Sequence, residues 1–307
     1  MGRPEAGQIR WYPEAVSAPS ESLIQLPTRA TVEESFQVLN ACEQIERLGK
    51  VLAIDASTTT MFGPMGVALL ALALARRRTA GLPDLTLRKP ESGEARRYLE
   101  EVGFSRFLTS EHANENPSAG TLEMRHLFQL VPVYTEQMAR LIADRVPGTP
   151  EEVSYLIQLC LNELLQNVFE HAESKEGCFV LARWYAKTRS VRIAVADGGV
   201  GIPAALRRKG IAGLQRRNDA DVVIEAVTRR GITSRLGTKQ GGFGLKLLRE
   251  AVTERGGKIV VLSSTAKVVF KRAVPQKPKS RLFRGTAIEL DFRPLAPTPA
   301  PRAEEVF

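Results

Sequence analysis

Apolar positions along the first third of the chain follow an alternating α/β pattern. Short runs rich in β-branched and apolar residues alternate with longer runs of helical periodicity. Strands separated by helices indicate an α/β fold. The predicted elements are strands at Leu23–Leu26, Val51–Asp55 and Leu85–Arg88, and helices at Val32–Leu48, Met65–Arg78 and Gly93–Val102.

A second α/β half follows the polar stretch Glu111–Gly120, whose proline and glycine mark a boundary. Its long apolar runs of strand type again occur between helical segments. A basic insertion with two prolines, Lys271–Arg284, is predicted to be a long hairpin loop. The predicted elements are strands at Leu122–Leu130, Phe179–Ala186, Ser190–Ala196 and Ala287–Phe292, and helices at Val133–Val146, Asn162–Ala172 and Leu245–Val252.

The helix Asn162–Ala172 carries the first candidate chemistry. Glu163, Asn167 and His171 recur every four residues, so a helix would place them on nearly one face. Apolar neighbours, among them Leu164, would anchor that helix on a sheet. Taken alone, this polar face is more typical of a solvated amphipathic helix. The downstream motifs decide between the two interpretations.

Two glycine clusters follow. Asp197 ends a predicted strand, and three glycines follow it within four residues, in Asp197–Pro203. Such a loop lets backbone approach a ligand closely, while the carboxylate could accept from an exocyclic amine. The second cluster, Gly241–Gly244, opens the helix Leu245–Val252 and so forms a natural phosphate site. Either cluster alone is also typical of an ordinary turn.

In this order the motifs resemble those of the Bergerat-fold ATPases, the group of gyrase, the heat-shock chaperone, histidine kinase catalytic domains and mismatch-repair proteins. NELLQN is similar to the N box of that family, DGGVGIP to its first glycine box and GGFGLKLL to its second. Gly285–Thr286 resembles the glycine–threonine pair that closes the pattern. The resemblance spans about Thr121–Pro294 and implies an α/β sandwich.

The same resemblance implies ATP and Mg²⁺ as ligands and gives each motif residue a role. Asn167 would hold Mg²⁺ through its amide oxygen. Glu163 would be the general base for attack on the γ-phosphate. Asp197 would accept from the adenine amino group and select ATP over GTP, and Thr286 would support the base through water. The other implied nucleotide contacts are Gly199 and Gly201 at the adenine, Gly242 and Gly244 at the phosphates, and Leu245.

The segment between the glycine boxes, Ala204–Gln240, would be a mobile lid. Within it Asp219–Arg235 is similar to a segment of bacterial anti-sigma and related regulatory ATPases, a helix that here would end at Gly231. Basic residues near this end could attract a γ-phosphate, although taken singly each is more typical of a solvated surface. These residues are Arg229, Arg230, Arg235 and Lys239.

The sequence LAIDASTTTMFGPMGVALLALA resembles the core of STAS domains, the fold of anti-sigma factor antagonists. Asp55 at a strand end, Ser57 in the loop and Gly66 at the next helix match that pattern. Pro64, however, stands where the family has its phosphate-acceptor serine. We therefore expect no phosphorylation at Pro64. The STAS-like half would act as a fixed docking or dimerisation surface. A generic α/β domain is the alternative.

Composition and length are consistent with two such domains. The chain has 307 residues, 43% of them hydrophobic, and no apolar run reaches the roughly 20 residues that cross a bilayer. This predicts a cytoplasmic protein. The net charge of +9 is compatible with an acidic partner or nucleic acid but specifies neither. The predicted organisation is a disordered leader at 1–20, a STAS-like domain at 21–112, a linker at 113–120, the ATPase domain at 121–294 and a disordered tail at 295–307.

The leading functional hypothesis is a regulatory protein of the anti-sigma or serine kinase type. It would bind Mg-ATP and either hydrolyse it or transfer phosphate to a STAS-type antagonist or sigma-like regulator. A homodimer is also compatible with the sequence. A histidine kinase is disfavoured because neither His112 nor His126 lies in a dimerisation hairpin. One alternative is an ATP-gated clamp of the gyrase or mismatch-repair type, although those proteins carry a transducer domain after the ATPase core and we expect only a short tail after Phe292. Another is a non-catalytic ATP switch, against which the base Glu163 argues.

Overall fold

A computed structural model shows a mixed α/β protein. Its described residues include no helix that is both long enough and apolar enough to span a membrane. The predicted leader, linker and tail lie outside these residues. The structure describes residues 23–49, 53–108, 123–130, 132–145, 151–185, 187–188, 190–211, 213–229, 244–271 and 274–292.

The N-terminal half contains all the strands and helices that its pattern predicts. The parallel sheet has the order β1-β3-β5, with a small β2-β4 pair beside it. Three further elements were not predicted because runs of two to five residues carry little periodicity. The elements are β1 (Leu23–Gln25), β2 (Arg29–Ala30), α1 (Ser35–Arg47), β3 (Ala53–Asp55), β4 (Met61–Phe62), α2 (Pro64–Thr79), β5 (Thr86–Arg88), α3 (Gly93–Glu101) and α4 (Phe104–Leu108).

The C-terminal half is built on a six-stranded antiparallel sheet in the order β10-β9-β11-β8-β7-β6. Helices of the same half cover one of its faces. The elements are β6 (Arg125–Leu127), α5 (Pro132–Arg145), α6 (Glu151–Asn167), β7 (Cys178–Tyr185), β8 (Ser190–Asp197), α7 (Ile202–Arg208), α8 (Asp219–Thr228), α9 (Gly244–Glu254), β9 (Lys258–Ser264), β10 (Ala266–Phe270) and β11 (Phe283–Phe292).

The prediction of a hairpin loop at Lys271–Arg284 is wrong. β9 and β10 form their own tight hairpin, with Ser264 in the left-handed region at a φ of 54°. β11 pairs with the other edge of β9. The basic segment therefore crosses from one side of β9 to the other, because the short turn has already placed β10 beside β9.

Both faces of the large sheet are buried. Along β8, Val191, Ile193 and Val195 pack towards α6, whereas Ala194 and Ala196 pack towards the N-terminal half. α2 covers this second face, and every α2 residue from Pro64 to Ala75 is buried. A helix that is apolar on all sides needs partners on all sides, which the sheet and α1 supply. The two halves therefore share one hydrophobic core.

The N-terminus of α2 lies against a carboxylate that belongs to the large sheet. The backbone amide of Met65 donates to Glu289 Oε2 at 3.0 Å. Glu289 lies on β11, is 1% exposed, and has no hydrogen-bond partner for Oε1 within the described part of the chain. Negative charge is favourable at a helix N-terminus. The Glu289 carboxylate therefore lies at the N-terminus of α2, beside Pro64.

Burial raises the pKa of Glu289 from 4.5 to about 7, against the opposing effects of the Met65 amide and Arg192. A carboxyl group whose pKa is raised on folding contributes its full stability below its pKa in the unfolded chain, and this stability is lost as the pH rises through its pKa in the folded chain. Between pH 6 and 8 the ionisation of Glu289 should therefore lower the free energy of unfolding by about 1.4 kcal/mol. Denaturant titrations at both pH values should show that loss.

Glu289→Gln should reduce the wild-type loss between pH 6 and 8 by about 1.4 kcal/mol, because the amide does not ionise. The buried Asp197, whose pKa is raised from 3.8 to about 7, contributes a loss of its own that this substitution leaves in place. Glu254→Gln is the control, since Glu254 is an exposed glutamate at the end of α9. A Glu289→Gln protein with the wild-type loss between pH 6 and 8 would contradict the assignment of this cost to Glu289.

Candidate functional site

The N-box helix ends in a π-helical segment, Val168–Ala172. α6 packs on the sheet through Leu161, Leu164 and Leu165 and carries Glu163 and Asn167 on its last turn. His171 therefore lies on the π-helical segment and not on α6 itself. This segment lies beside the candidate site, where π-bulges in other helices frequently occur.

Asn167 is oriented by its own helix. Its Nδ2 donates to the backbone carbonyl of Glu163 at 2.8 Å. Because the nitrogen is the donor, the amide oxygen is the atom suited to face a cation, and a neutral oxygen is a ligand that Mg²⁺ accepts. Both side chains are half-buried. The geometry is compatible with the predicted magnesium role of Asn167.

Asp197 is a buried carboxylate held by backbone amides. It ends β8, is 2% exposed, and accepts from the Gly199 amide at 2.8 Å through Oδ1. Thr286 is its direct partner across the β8–β11 ladder. Burial raises the pKa of Asp197 to about 7, while the Gly199 and Thr286 amides and the charge of Arg76 lower it. A fixed buried acceptor of this kind suits a single amine of a ligand.

The first glycine box lies against the end of the N-box helix. The Val200 amide donates to the Ala172 carbonyl at 2.8 Å, and a Cβ on Gly199 would lie 1.8 Å from that oxygen. Gly201 has a φ of 81°, which favours glycine, and a Cβ there would lie 2.9 Å from the Gly285 carbonyl. The fold therefore brings together the N box, the first glycine box and the glycine–threonine pair.

Ser263 is a site residue that the sequence analysis missed. Its hydroxyl accepts from the Ile202 amide at 2.9 Å and donates to the Gly285 carbonyl at 3.0 Å. It also lies 3.3 Å from the Thr286 hydroxyl. Ser263 is fully buried and joins the start of α7 to β11. A serine ending the apolar run KIVVLS is the signal that could have drawn attention to it.

Part of the second glycine box lies outside the described residues. This applies to Gly242, while Gly244 begins α9 and the half-buried Leu245 packs against the core around α6. In the lid, α8 ends at Thr228 rather than at the predicted Gly231, and α7 was not predicted. Arg229 donates to Glu225 at 2.8 Å. The residues Arg230, Gly231, Arg235 and Lys239 lie outside the described part.

Residues 152–295 match the model of a family described as Histidine kinase-, DNA gyrase B-, and HSP90-like ATPase. The C-terminal half contains a Bergerat-fold ATPase domain. The matched range includes each site residue above except Arg76, and it supports ATP binding by this ATPase domain. None of the curated proteins matches the chain. The N-terminal half lies outside the matched residues.

Proposed function

We propose that this protein binds Mg-ATP in the ATPase domain and transfers the γ-phosphate to a hydroxyl group of a partner protein, as anti-sigma-type serine kinases do. Without an acceptor it hydrolyses ATP slowly. The observation that carries this proposal is Asp197, a buried carboxylate fixed by the amides of Gly199 and Thr286 beside the N-box helix. Its place in the matched family segment is the second support.

Three side chains have separate roles in the proposed reaction. Ionised Asp197 accepts from the adenine amino group, which guanine replaces by a carbonyl. Asn167 holds Mg²⁺, which, when bound, neutralises charge on the triphosphate. Glu163, four residues before Asn167 on α6, takes the proton of the attacking hydroxyl or water. The three residues thus supply one hydrogen-bond acceptor, one metal ligand and one general base around a single nucleotide.

We assign the N-terminal half the role of a STAS-like docking surface for the partner, a STAS-type antagonist or sigma-like regulator. Pro64 cannot accept phosphate, and the amide of Met65 is bonded to Glu289. In the preceding loop Ser57 and Thr59 are buried, while the exposed Thr58 and Thr60 have hydroxyl groups bonded to Gln25 and to the Thr28 carbonyl. We therefore place the phosphate acceptor on a second protein.

Isothermal titration calorimetry with ATP and GTP, each with and without Mg²⁺, tests the binding step. We expect Mg-ATP to bind and GTP to bind at least about tenfold more weakly, because a lost or reversed hydrogen bond to a charged group costs about 1.5 kcal/mol or more. Equal affinities would contradict the adenine role of Asp197. ATP labelled at the γ-phosphate then measures turnover, and binding without any turnover would favour a non-catalytic switch.

A further inference from the structure

Arg76 on α2 reaches the candidate nucleotide site from outside the ATPase domain. Its Nη2 donates to the Gly198 carbonyl at 3.1 Å and also to the Arg284 carbonyl. Its Nη1 bonds Glu46 Oε1 of α1 at 3.1 Å, and its guanidinium lies 5.8 Å from the Phe283 ring centroid. The side chain is 14% exposed. One arginine therefore links the N-terminal half to two segments of the ATPase domain.

These two segments flank Asp197. Gly198 follows Asp197 directly, and Arg284 precedes the Gly285–Thr286 pair, of which Thr286 lies opposite Asp197 in the sheet. The segments also touch each other, since a Cβ on Gly285 would lie 2.0 Å from the Asp197 carbonyl. A guanidinium that bonds both carbonyls holds the two chain segments at a fixed separation around the carboxylate.

Arg76 also acts on Asp197 through its charge. Asp197 is 2% exposed, and a buried carboxylate favours protonation unless a positive charge or donor opposes it. The backbone amides of Gly199 and Thr286 oppose protonation first, and Arg76 is the side chain that adds to them. An adenine amino group needs the ionised carboxylate as its acceptor.

We propose that Arg76 is a positioning residue of the nucleotide site, through which the N-terminal half sets the affinity for ATP and its preference over GTP. This rests on the proposed function, because it assumes that Asp197 contacts adenine. Glu46 holds the opposite side of the guanidinium, so the position of α1 contributes to the same contact.

Arg78 is a matched control on the same helix. It donates to the carbonyls of Phe107 and Leu108, pairs with Asp84 and lies over the Phe107 ring at 4.8 Å. Like Arg76 it thus bonds two carbonyls and one carboxylate and contacts one aromatic ring. All of these contacts lie within the N-terminal half, and across the described residues its charge acts on His126 of β6, away from Asp197.

Calorimetry with ATP and GTP on the full chain should compare Arg76→Ala, Arg76→Lys and Arg78→Ala. We expect Arg76→Ala to raise the Kd for ATP about tenfold and to reduce the ATP preference over GTP, which a general loss of stability would not do. Arg76→Lys should be intermediate, because lysine keeps the charge but not the fork of donors. Arg78→Ala should bind within about twofold of wild type. Equal ATP affinity and preference in the Arg76→Ala and Arg78→Ala proteins would overturn the proposal.

Amide hydrogen exchange on the same proteins separates this proposal from the proposed function. Arg76→Ala should accelerate exchange in peptides covering residues 197–201 and 284–287, and Arg78→Ala should not. If wild type binds no ATP, the proposed function fails and these two peptides alone decide whether Arg76 positions the Asp197 segments. Unchanged exchange in the Arg76→Ala protein would overturn the positioning role.

Discussion

Glu163→Gln should leave Mg-ATP bound and slow the turnover of its γ-phosphate by roughly 10²- to 10⁴-fold. Glutamine keeps the shape of the side chain but cannot take a proton from the attacking hydroxyl or water. A base stabilises the transition state far more than the bound ground state, so kcat should fall while Kd changes little. Single-turnover phosphate release and calorimetry measure the two quantities separately.

Glu170→Gln is the matched control for this substitution. Glu170 lies on the π-helical segment that continues α6, and its carboxylate accepts from Gln166. Its substitution should change turnover by less than about threefold, because the loss of a surface hydrogen bond changes the free energy of the protein only slightly. If Glu163→Gln turns over ATP as fast as wild type, Glu163 is not the base.

Asp197→Asn should weaken ATP binding by about 1.5 to 3 kcal/mol, which is about 10- to 150-fold in Kd. The Gly199 and Thr286 amides already donate to this carboxylate. The replacing amide has one oxygen and one NH₂ group, so it must turn the NH₂ towards either a backbone amide or the adenine amine. In either arrangement the NH₂ group faces another hydrogen-bond donor. Calorimetry with Mg-ATP measures the loss.

The pH dependence of ATP affinity gives a second test of Asp197. Since its pKa is about 7, the carboxyl becomes protonated below that pH and loses its capacity as a charged acceptor. The Kd of wild type should therefore rise as pH falls below 7, whereas that of Asp197→Asn should respond less.

Asp291→Asn is the control, because Asp291 pairs with Arg192 at 3.3 Å near the other end of β11. An Asp197→Asn protein that binds ATP as tightly as the Asp291→Asn protein would contradict the adenine assignment.

The sequence alone predicted the family of the C-terminal half and the type of most elements. Its motifs are local, because the glycines of DGGVGIP and the spacing within NELLQN reflect backbone conformations and helix faces a few residues apart. The residue match at 152–295 confirms a Bergerat-fold ATPase domain. The individual roles of residues such as Glu163 and Asn167 stay predictions.

The composition of α2 is that of a buried helix but does not identify the elements that bury it. Its residues Pro64–Ala75 are apolar or small with one glycine, so no side faces water, but this pattern is the same whichever elements cover it. Likewise β7 and β8 carry apolar residues on both faces, which indicates a covered sheet and leaves the covering layer unnamed.

Only the tertiary structure decided that α2 covers the sheet of the ATPase domain. That packing places Glu289 at the α2 N-terminus and Arg76 against Gly198, contacts between residues 224 and 122 positions apart in the chain. The β10-β9-β11 strand order was decided in the same way. Hydrophobic burial is non-directional, so an apolar pattern dictates that a surface is covered, whereas shape and polar pairing in three dimensions select its partner.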